Sequence, residues 1–233
     1  MELNTSKCHA MRFYRTNNLL LYDYSINTSL LSSQTVIKDL GIWLDTSLTF
    51  HEHFKTIINK SLRLLGYIKR VTSDFTSIQP LKILYCSLVR SHLEYCSSVW
   101  SPYYQLYSDK IENVQHKFLR HVAFKLGQYM HYDDILQMLN ITTLKSRRLH
   151  HDLILLFKLV NSQIDCPDML AKINFAVPNR QTRQLVSFSV PMHRTNYAHY
   201  SFLSRSQRIA NQFQELDFSY SLNIFKAVLS NIT

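Results

Sequence analysis

The first region of the chain, residues 1–49, alternates short apolar runs with polar, turn-forming stretches. Runs such as "CHAMRFYR" and "TVIKDLGIWLD" are rich in aromatic and β-branched residues, and "TNN" and "NTSLLSSQ" separate such runs. This composition is typical of short strands joined by turns. We therefore predict a small antiparallel β-sheet with exposed edges.

The second region, residues 50–166, has the period of about 3.6 residues that marks amphipathic helices. In "HEHFKTIINKSLRLLGYIKRV" the apolar residues recur at this spacing, at Phe54, Ile57, Ile58, Leu62, Leu65 and Ile68. Another face of the same predicted helix carries Lys55, Arg63 and Arg70. The pattern predicts a core stripe and a basic surface stripe on one helix.

Four further helices are predicted in this region, and residues typical of helix N-termini begin them. Pro80 lies in the first turn of the second helix, Ser108 caps the third, "YDD" begins the fourth, and Thr142 or Thr143 caps the fifth. The predicted core positions of the second helix are Leu81, Leu84, Tyr85 and Leu88. Those of the third are Ile111, Val114, Phe118 and Val122, which leaves Lys117, Arg120, His121 and Lys125 facing outward.

The third region, residues 167–233, differs in composition from the helices before it. Between Pro178 and Asn211 there is no acidic residue, and the five arginines are Arg180, Arg183, Arg194, Arg205 and Arg208. Interleaved with them are the aromatic residues Phe188, Tyr197, Tyr200 and Phe202. Arginine with aromatic residues suits phosphate contact and base stacking. The alternative is a loosely ordered basic segment whose arginines are simply solvated.

A short helix, "SLNIFKAVLSN", is predicted to close the chain. It would contribute Ile224, Phe225, Val228 and Leu229 to the core. The three regions together predict an α+β fold that is mainly α, with a small N-terminal β segment, a helical bundle and a basic C-terminal region. With 233 residues, 46% apolar and 12% aromatic, the chain is long and apolar enough to form a core.

The charge balance favours an anionic partner. The formal net charge is +10, and the cations are spread along the chain, which points to nucleic acid or to an anionic membrane surface. The membrane is the weaker choice, because the helix faces opposite the basic stripes are needed for the core. The three glycines, Gly41, Gly66 and Gly127, lie too far apart for a glycine-rich phosphate loop.

Cysteine and histidine patterns indicate neither a disulfide framework nor a metal site. The four cysteines form no C-x-x-C pair, and the N-terminal stretch is polar, so we expect an intracellular protein, nuclear or cytoplasmic, with reduced thiols. The histidines of "HEH" at 51–53 and the pair His150 and His151 lack the spacing and the third ligand that zinc requires. The apolar run "LILLFKLV" is interrupted by Lys158 and is too short to span a bilayer.

Six stretches, in order, resemble one protein family. They are "LNTSKCHAMRFYR", "VIKDLGIWLDTSLTFHEHF", "LVRSHLEYCSSVWSPYY", "KIENVQHKFLR", "SRRLHHDLILLFKLVN" and "RTNYAHYSFLSRSQRIANQF". Together they are similar to the post-catalytic part of reverse transcriptases of non-LTR retrotransposons, in particular the jockey-like group. The resemblance implies the end of a palm, a primer grip, a thumb and a connecting region.

The resemblance also implies roles for individual residues. Asn4 and Lys7 match the last conserved palm segment, and Leu40, Gly41 and Ile42 match the primer grip. The helices that follow match the thumb, which holds the template-primer duplex. The aspartates that bind magnesium precede this part in the family, so we expect no enzymatic activity from the chain alone and no cofactor; magnesium would serve only the full-length enzyme.

The adjacent aspartates Asp133 and Asp134 do not fit the catalytic pair of a polymerase. That pattern has an aromatic residue two positions before the first aspartate, where this chain has His131, with Tyr132 one position later. The following "DDILQML" has helical spacing, and the pair lies about ninety residues after the primer-grip-like turn. We predict that the pair begins a helix, where carboxylates favour the helix dipole.

Two functions from different classes follow. In the first, the chain is a fragment of an RNA-directed DNA polymerase that retains at most binding to RNA or DNA duplexes through their phosphates. The predicted contacts are Lys55, Arg63, Arg70, Lys117, Arg120, Lys125, Arg180, Arg183, Arg205 and Arg208. In the second, the chain is a repurposed or degenerate helical module that binds a protein, and its basic faces only keep it soluble.

Overall fold

Helices predominate over strands in the computed structural model, which describes residues 4–14, 22–127, 130–176 and 186–232. The prediction of an α+β fold that is mainly α is confirmed. The chain divides into two compact units, Met1–Lys60 and Ser61–Thr233.

The first unit contains six short strands. They are β1 (His9–Ala10), β2 (Ser25–Ile26), β3 (Ser29–Leu30), β4 (Ser32–Ser33), β5 (Val36–Asp39) and β6 (Ile42–Asp45). Strands β2 and β3, and β5 and β6, pair antiparallel, whereas β1 pairs with β4 in parallel. Within the described residues these are three separate two-stranded ladders, so the prediction of one antiparallel sheet is wrong. Strands of two residues offer too few backbone groups to join a wider sheet.

The β5–β6 hairpin turns at Leu40 and Gly41. Both residues have positive φ, 44° and 89°, as the two-residue turns that match the twist of a hairpin require. Glycine meets this demand without a steric penalty. Leu40 is 83% exposed at the tip, and Ile42 is buried as β6 begins.

Asp45 organises the chain between β6 and the helix that follows. Its Oδ1 accepts hydrogen bonds from the backbone N–H groups of Ser47 and Thr49, and its Oδ2 accepts from the Thr49 hydroxyl and the Phe50 N–H, at 2.7 to 3.0 Å. Partial burial raises the pKa of Asp45, but these hydrogen bonds, those of Thr49 first, outweigh it and hold the pKa below its ordinary value. The carboxylate thus reinforces the backbone turn in which the Leu48 N–H donates to the Asp45 carbonyl at 2.9 Å.

His53 is a buried histidine that the structure holds neutral. Its side chain is 2% exposed, and its Nδ1 accepts a long hydrogen bond of 3.4 Å from the backbone N–H of Trp43. Burial disfavours the charged ring and lowers the pKa of His53 to about 4.

Acidification is therefore expected to destabilise the first unit. Between pH 6.5 and about 4 the unfolded chain binds a proton at His53 that the folded chain does not, so stability falls as the pH falls through this window. We expect a loss on the order of 2 kcal/mol after allowance for solvent screening. The midpoint of the His53 ring titration, followed by NMR, checks the cause. A midpoint near 6.5, or the same pH dependence in His53→Gln, would contradict it.

Helix α1 spans His51–Val71, the range that the periodicity predicted. Its buried apolar side chains are Phe54, Ile57, Leu65 and Ile68. Arg63 and Arg70 are exposed. The predicted core and basic stripes are thus both present on α1.

The second unit is built of ten further helices in the part of the chain described. They are α2 (Gln79–Leu84), α3 (Ser91–Glu94), α4 (Ser97–Trp100), α5 (Gln105–Leu126), α6 (Tyr132–Leu139), α7 (Leu144–Val160), α8 (Pro167–Leu170), α9 (Asn196–His199), α10 (Phe202–Gln212) and α11 (Leu222–Ile232). A π-helical stretch, Tyr85–Arg90, joins α2 to α3.

The π-helical stretch corrects the predicted core of the second helix. Leu81, Tyr85, Val89 and Leu93 are fully buried, whereas Leu88 is 39% exposed. Hydrogen bonds from i to i+5 widen the turn, so residues four apart stay on one face. An α-helical period would instead have placed Leu88 inward.

Three predicted helix starts have different outcomes. Helix α5 begins at Gln105, so the prediction of Ser108 as its cap is wrong, and Ser108 is buried within the helix. Helix α7 is capped as predicted, because the Thr143 hydroxyl accepts from the backbone N–H of Ser146 at 3.1 Å. Helix α6 begins at Tyr132 with Asp133 and Asp134 in its first turn, which confirms that the pair begins a helix.

One core of the second unit surrounds α7. Its buried members are Leu153, Leu156, Phe157, Leu159, Ile173, Phe188, Ala210, Leu216, Phe225 and Leu229. The described part of the third region therefore packs on α7. In α11, Phe225 and Leu229 face this core and Ile224 is 53% exposed, so the predicted burial of Ile224 is wrong. Ile224 directly precedes the buried Phe225, so its side chain points about 100° away from that of Phe225 around the helix axis.

Candidate nucleic-acid interface

A cluster of cationic side chains lies where the end of α1 meets the C-terminal half of α5. Burial lowers the pKa of Lys69, and the positive charges of Arg120 and then Lys117 lower it further. Burial likewise lowers the pKa of His121, followed by the charges of Lys69 and Lys125. We call Lys69, Lys117, Arg120 and His121 the α1/α5 basic surface.

Like charges are crowded on this surface. Each cation there disfavours protonation of its neighbours, and a bound phosphate would relieve that repulsion. Arg120 is exposed, and Lys69, Lys117 and His121 are half-buried. The acidic residue nearest to α1 in the following turn is Asp74, which is exposed.

Lys125 has a structural role beside this surface. Its ammonium donates to three backbone carbonyls after α1: those of Thr72, of Ser73 at 3.0 Å and of Phe75 at 2.9 Å. These carbonyls follow the C-terminus of α1, where a cation opposes the negative end of the helix dipole. All three ammonium protons thus have acceptors within the protein, which leaves Lys125 little capacity for phosphate.

Three exposed aromatic residues lie on α1, on α5 and in the turn after α1. Phe124, which precedes Lys125 on α5, is 83% exposed. Phe75, whose carbonyl Lys125 binds, is 42% exposed, and Tyr67 on α1 is 54% exposed. Aromatic side chains beside a basic groove are the platforms on which unpaired bases stack.

The other predicted contacts on α1 are solvent-exposed. Lys55, in the first unit, lies 3.8 Å from Glu52 in an ion pair whose partners are 69% and 51% exposed. Such a pair contributes at most about 1 kcal/mol and yields readily to a stronger anion. Arg63 and Arg70 lie on the second-unit portion of α1.

Four arginines of the third region are predicted contacts, and the structure describes two of them. Arg180 and Arg183 lie outside the described residues. Arg205 forms a bidentate ion pair with Asp152, and its side chain is 12% exposed. Arg208 donates to Nδ1 of His199 at 2.8 Å, and its guanidinium lies 5.9 Å from the Tyr200 ring centre. Arg205 is thus largely withdrawn from solvent and engaged by Asp152, in contrast to the prediction of a surface contact.

The residues matched to palm and primer grip lie in the first unit. Asn4 precedes a 3₁₀ turn, Thr5–Lys7, and its carbonyl accepts from the backbone N–H of Lys7 at 3.1 Å. Lys7 is exposed. Leu40 and Gly41 form the tip of the β5–β6 hairpin, and Ile42 begins β6.

No group of three or more histidine, cysteine or acidic side chains among the described residues is placed to hold a metal ion. Asp133 and Asp134 are exposed on the first turn of α6. Within the same residues, no helix combines the length and apolarity needed to cross a bilayer.

Sequence patterns missed Lys69 and the polar pair on α7. Lys69 is adjacent to Arg70 and lies on a different face from the predicted stripe, so the spacing gave no signal for it. Arg148 and Asp152 are four residues apart in a buried stripe between Leu144 and Leu159. The sequence does contain a signal for this pair, because two charged residues at core positions of an amphipathic helix indicate a buried polar interaction.

Comparisons with known proteins give no relative. No family model matches the chain, and neither a curated protein nor a solved structure is similar to it.

Proposed function

We propose that the chain is the post-catalytic part of a non-LTR retrotransposon reverse transcriptase and binds a template-primer duplex without extending it. The six ordered stretches support the assignment to that part of the enzyme. The α1/α5 basic surface, with Phe124 exposed beside it, carries the proposal of nucleic-acid binding. The carboxylates for the two magnesium ions belong, in this proposal, to the preceding part of the polymerase.

The proposed contact is with phosphates and reads no sequence. Lysine and arginine side chains neutralise backbone phosphates and release counterions, which makes affinity depend steeply on salt. Phosphate binding also favours the charged forms of Lys69 and His121, whose pKa values the free surface lowers. Helices α1 and α5 place these cations on rigid elements, as duplex binding requires.

The test is a titration of an RNA/DNA hybrid at several salt concentrations. With about three phosphate contacts, affinity should fall roughly 40-fold between 50 and 200 mM salt. Affinity that does not change with salt would contradict the proposal. Primer extension by the chain alone with magnesium and nucleotides, abolished in Asp133→Asn, would contradict the absence of polymerase activity.

Phe124 also favours a second function, that of a protein-interaction module. A phenylalanine 83% exposed on a helix resembles the apolar anchors of helix-mediated interfaces. The two functions are separable in a pull-down with and without nuclease. A partner that remains bound after nuclease treatment and is absent with Phe124→Ala supports the interaction module. A partner released by nuclease supports nucleic-acid binding.

A further inference from the structure

A cationic cavity lies in the second unit, apart from the α1/α5 basic surface. Its volume is about 330 Å³, and parts of α5, α7 and α10 line it together with residues 101–103. The charged lining residues are Lys145, Arg148, Asp152, Arg205 and Arg208. Four cations therefore face one carboxylate, and such a lining favours an anion over a neutral molecule.

The carboxylate of Asp152 is already neutralised by Arg205. Nε of Arg205 donates to Oδ2 of Asp152 at 2.8 Å, and Nη2 donates to Oδ1 at 3.1 Å. Two further donors of Arg205, on Nη1 and Nη2, reach the carbonyls of Tyr200 at 2.7 Å and Ser98 at 3.0 Å. This pair forms part of the cavity wall and leaves Lys145, Arg148 and Arg208 as the net positive charge.

Arg148 is a buried guanidinium with incomplete hydrogen bonding. Its side chain is 4% exposed, and Nη2 donates to the Ser108 hydroxyl at 3.0 Å. Nη1 is shielded from solvent and has no hydrogen-bond partner in the described part of the chain. Buried charged donors are nearly always paired, because an unpaired one loses its hydration without compensation.

Glu112, the acidic residue with the largest charge effect on Arg148, is engaged elsewhere. Glu112 accepts hydrogen bonds from the Tyr132 hydroxyl at 3.1 Å and from the backbone N–H groups of Leu144 and Lys145 at 3.2 and 3.3 Å. It offsets the charge of Arg148 at a distance but forms no hydrogen bond to it. Arg148 lines the cavity, so an anion bound there would offset the charge of the guanidinium, and it would accept from Nη1 after a shift of this side chain.

Two further cations line the same cavity. Lys145 is exposed in the first turn of α7, one helical turn before Arg148. Arg208, on α10, donates a hydrogen bond from one nitrogen to His199, and its guanidinium lies over the Tyr200 ring. Tyr200 in turn stacks on Tyr103, with ring centres 5.0 Å apart, and both rings line the cavity.

We propose that this cavity binds a phosphate monoester, with Arg148, Lys145 and Arg208 as the ligands of the phosphoryl group. Three cations in addition to the Arg205–Asp152 pair suit a dianion, and guanidinium groups match the oxygens of a phosphate. The volume lies at the lower end of small-molecule sites, which span about 300 to 1,000 Å³. The phosphate monoester is either a free nucleotide or the 5′-phosphate at the end of a strand.

Calorimetric titration of the full chain with AMP tests the site. We expect saturable binding of one equivalent, weakened roughly ten-fold or more by Lys145→Ala and by Arg208→Gln, because each removes a charge-assisted hydrogen bond. Lys226→Ala, an exposed lysine on α11 outside the cavity lining, is the matched control and should bind as the wild type does. Circular dichroism verifies that each variant is folded.

A second arm separates the two sources of phosphate. Two oligonucleotides with the same sequence, one with a 5′-phosphate and one with a 5′-hydroxyl, are compared in 200 mM salt. Preference for the phosphorylated strand, abolished in Arg208→Gln, assigns the site to strand ends; AMP binding without that preference assigns it to free nucleotides. The proposal is overturned if neither AMP nor the 5′-phosphate is recognised, or if Lys145→Ala and Arg208→Gln bind as Lys226→Ala does.

The site is independent of the proposed duplex binding. Lys117→Glu with Arg120→Glu changes the α1/α5 basic surface and should leave AMP affinity unchanged, because neither residue lines the cavity. Loss of duplex binding with AMP binding intact would therefore affect only the proposed function.

Discussion

Replacing Asp152 by asparagine is expected to destabilise the second unit by about 3–5 kcal/mol, the cost of leaving a buried charge without its partner. Asp152 is 2% exposed and binds both Nε and Nη2 of Arg205. Arg148, itself buried in the same region, also loses the attraction of the Asp152 carboxylate. Two cations would then remain in the interior without this anion.

Urea denaturation followed by circular dichroism measures this effect. Asp168→Asn is the matched control, because Asp168 is exposed on the short helix α8 and the change in charge is the same. We expect the control to change the free energy of unfolding by less than about 0.5 kcal/mol. An unfolding free energy of Asp152→Asn close to that of the control would show that the pair with Arg205 does not stabilise the fold.

Reversing the charge of Lys117 and Arg120 together is expected to weaken hybrid binding roughly 100-fold at low salt. Two backbone phosphates would no longer be neutralised, and the two new carboxylates would repel them. The dependence on salt should also become shallower, by about 0.9 in the logarithmic slope for each phosphate that is no longer neutralised. Fluorescence anisotropy with a labelled hybrid at several salt concentrations measures both quantities.

The control must carry the same change in net charge at another place. Lys172→Glu with Lys226→Glu meets this condition, because both lysines are exposed in the second unit and lie outside the α1/α5 basic surface. Equal loss of affinity in the two double variants would assign binding to overall charge and refute a local interface.

Lys125→Met, by contrast, should chiefly lower stability, because it removes the cation that binds three carbonyls after α1.

Local patterns predicted several elements with accuracy. The bounds of α1 follow from its apolar period, and the Thr143 cap of α7 and the first turn of α6 follow from residues that helix starts favour. These features depend on neighbours within one or two helical turns. The exposure of Leu88 was not predictable in this way, because a π-helical turn changes the period without a distinct residue signature.

Local sequence patterns could not predict which cationic side chains form hydrogen bonds or ion pairs within the protein. Lys117 and Lys125 both look like outward residues of one helix, but only Lys125 meets the carbonyls that follow α1, at sequence separations of 50 to 53 residues. Arg205 and Arg208 belong to one arginine-rich segment, but Arg205 meets Asp152, 53 residues earlier, and is withdrawn from solvent.

Residue type and short-range spacing predicted the long helices, the presence of short strands and the excess of positive charge. They did not predict which positive charges bind the protein's own acceptors and which do not. Hydrogen-bond acceptors and counter-charges come from distant parts of the chain, so their positions depend on the tertiary fold. Folding brings Lys69 and Arg120 together on one surface and leaves Arg148 in a cavity with a donor still unpaired among the described residues.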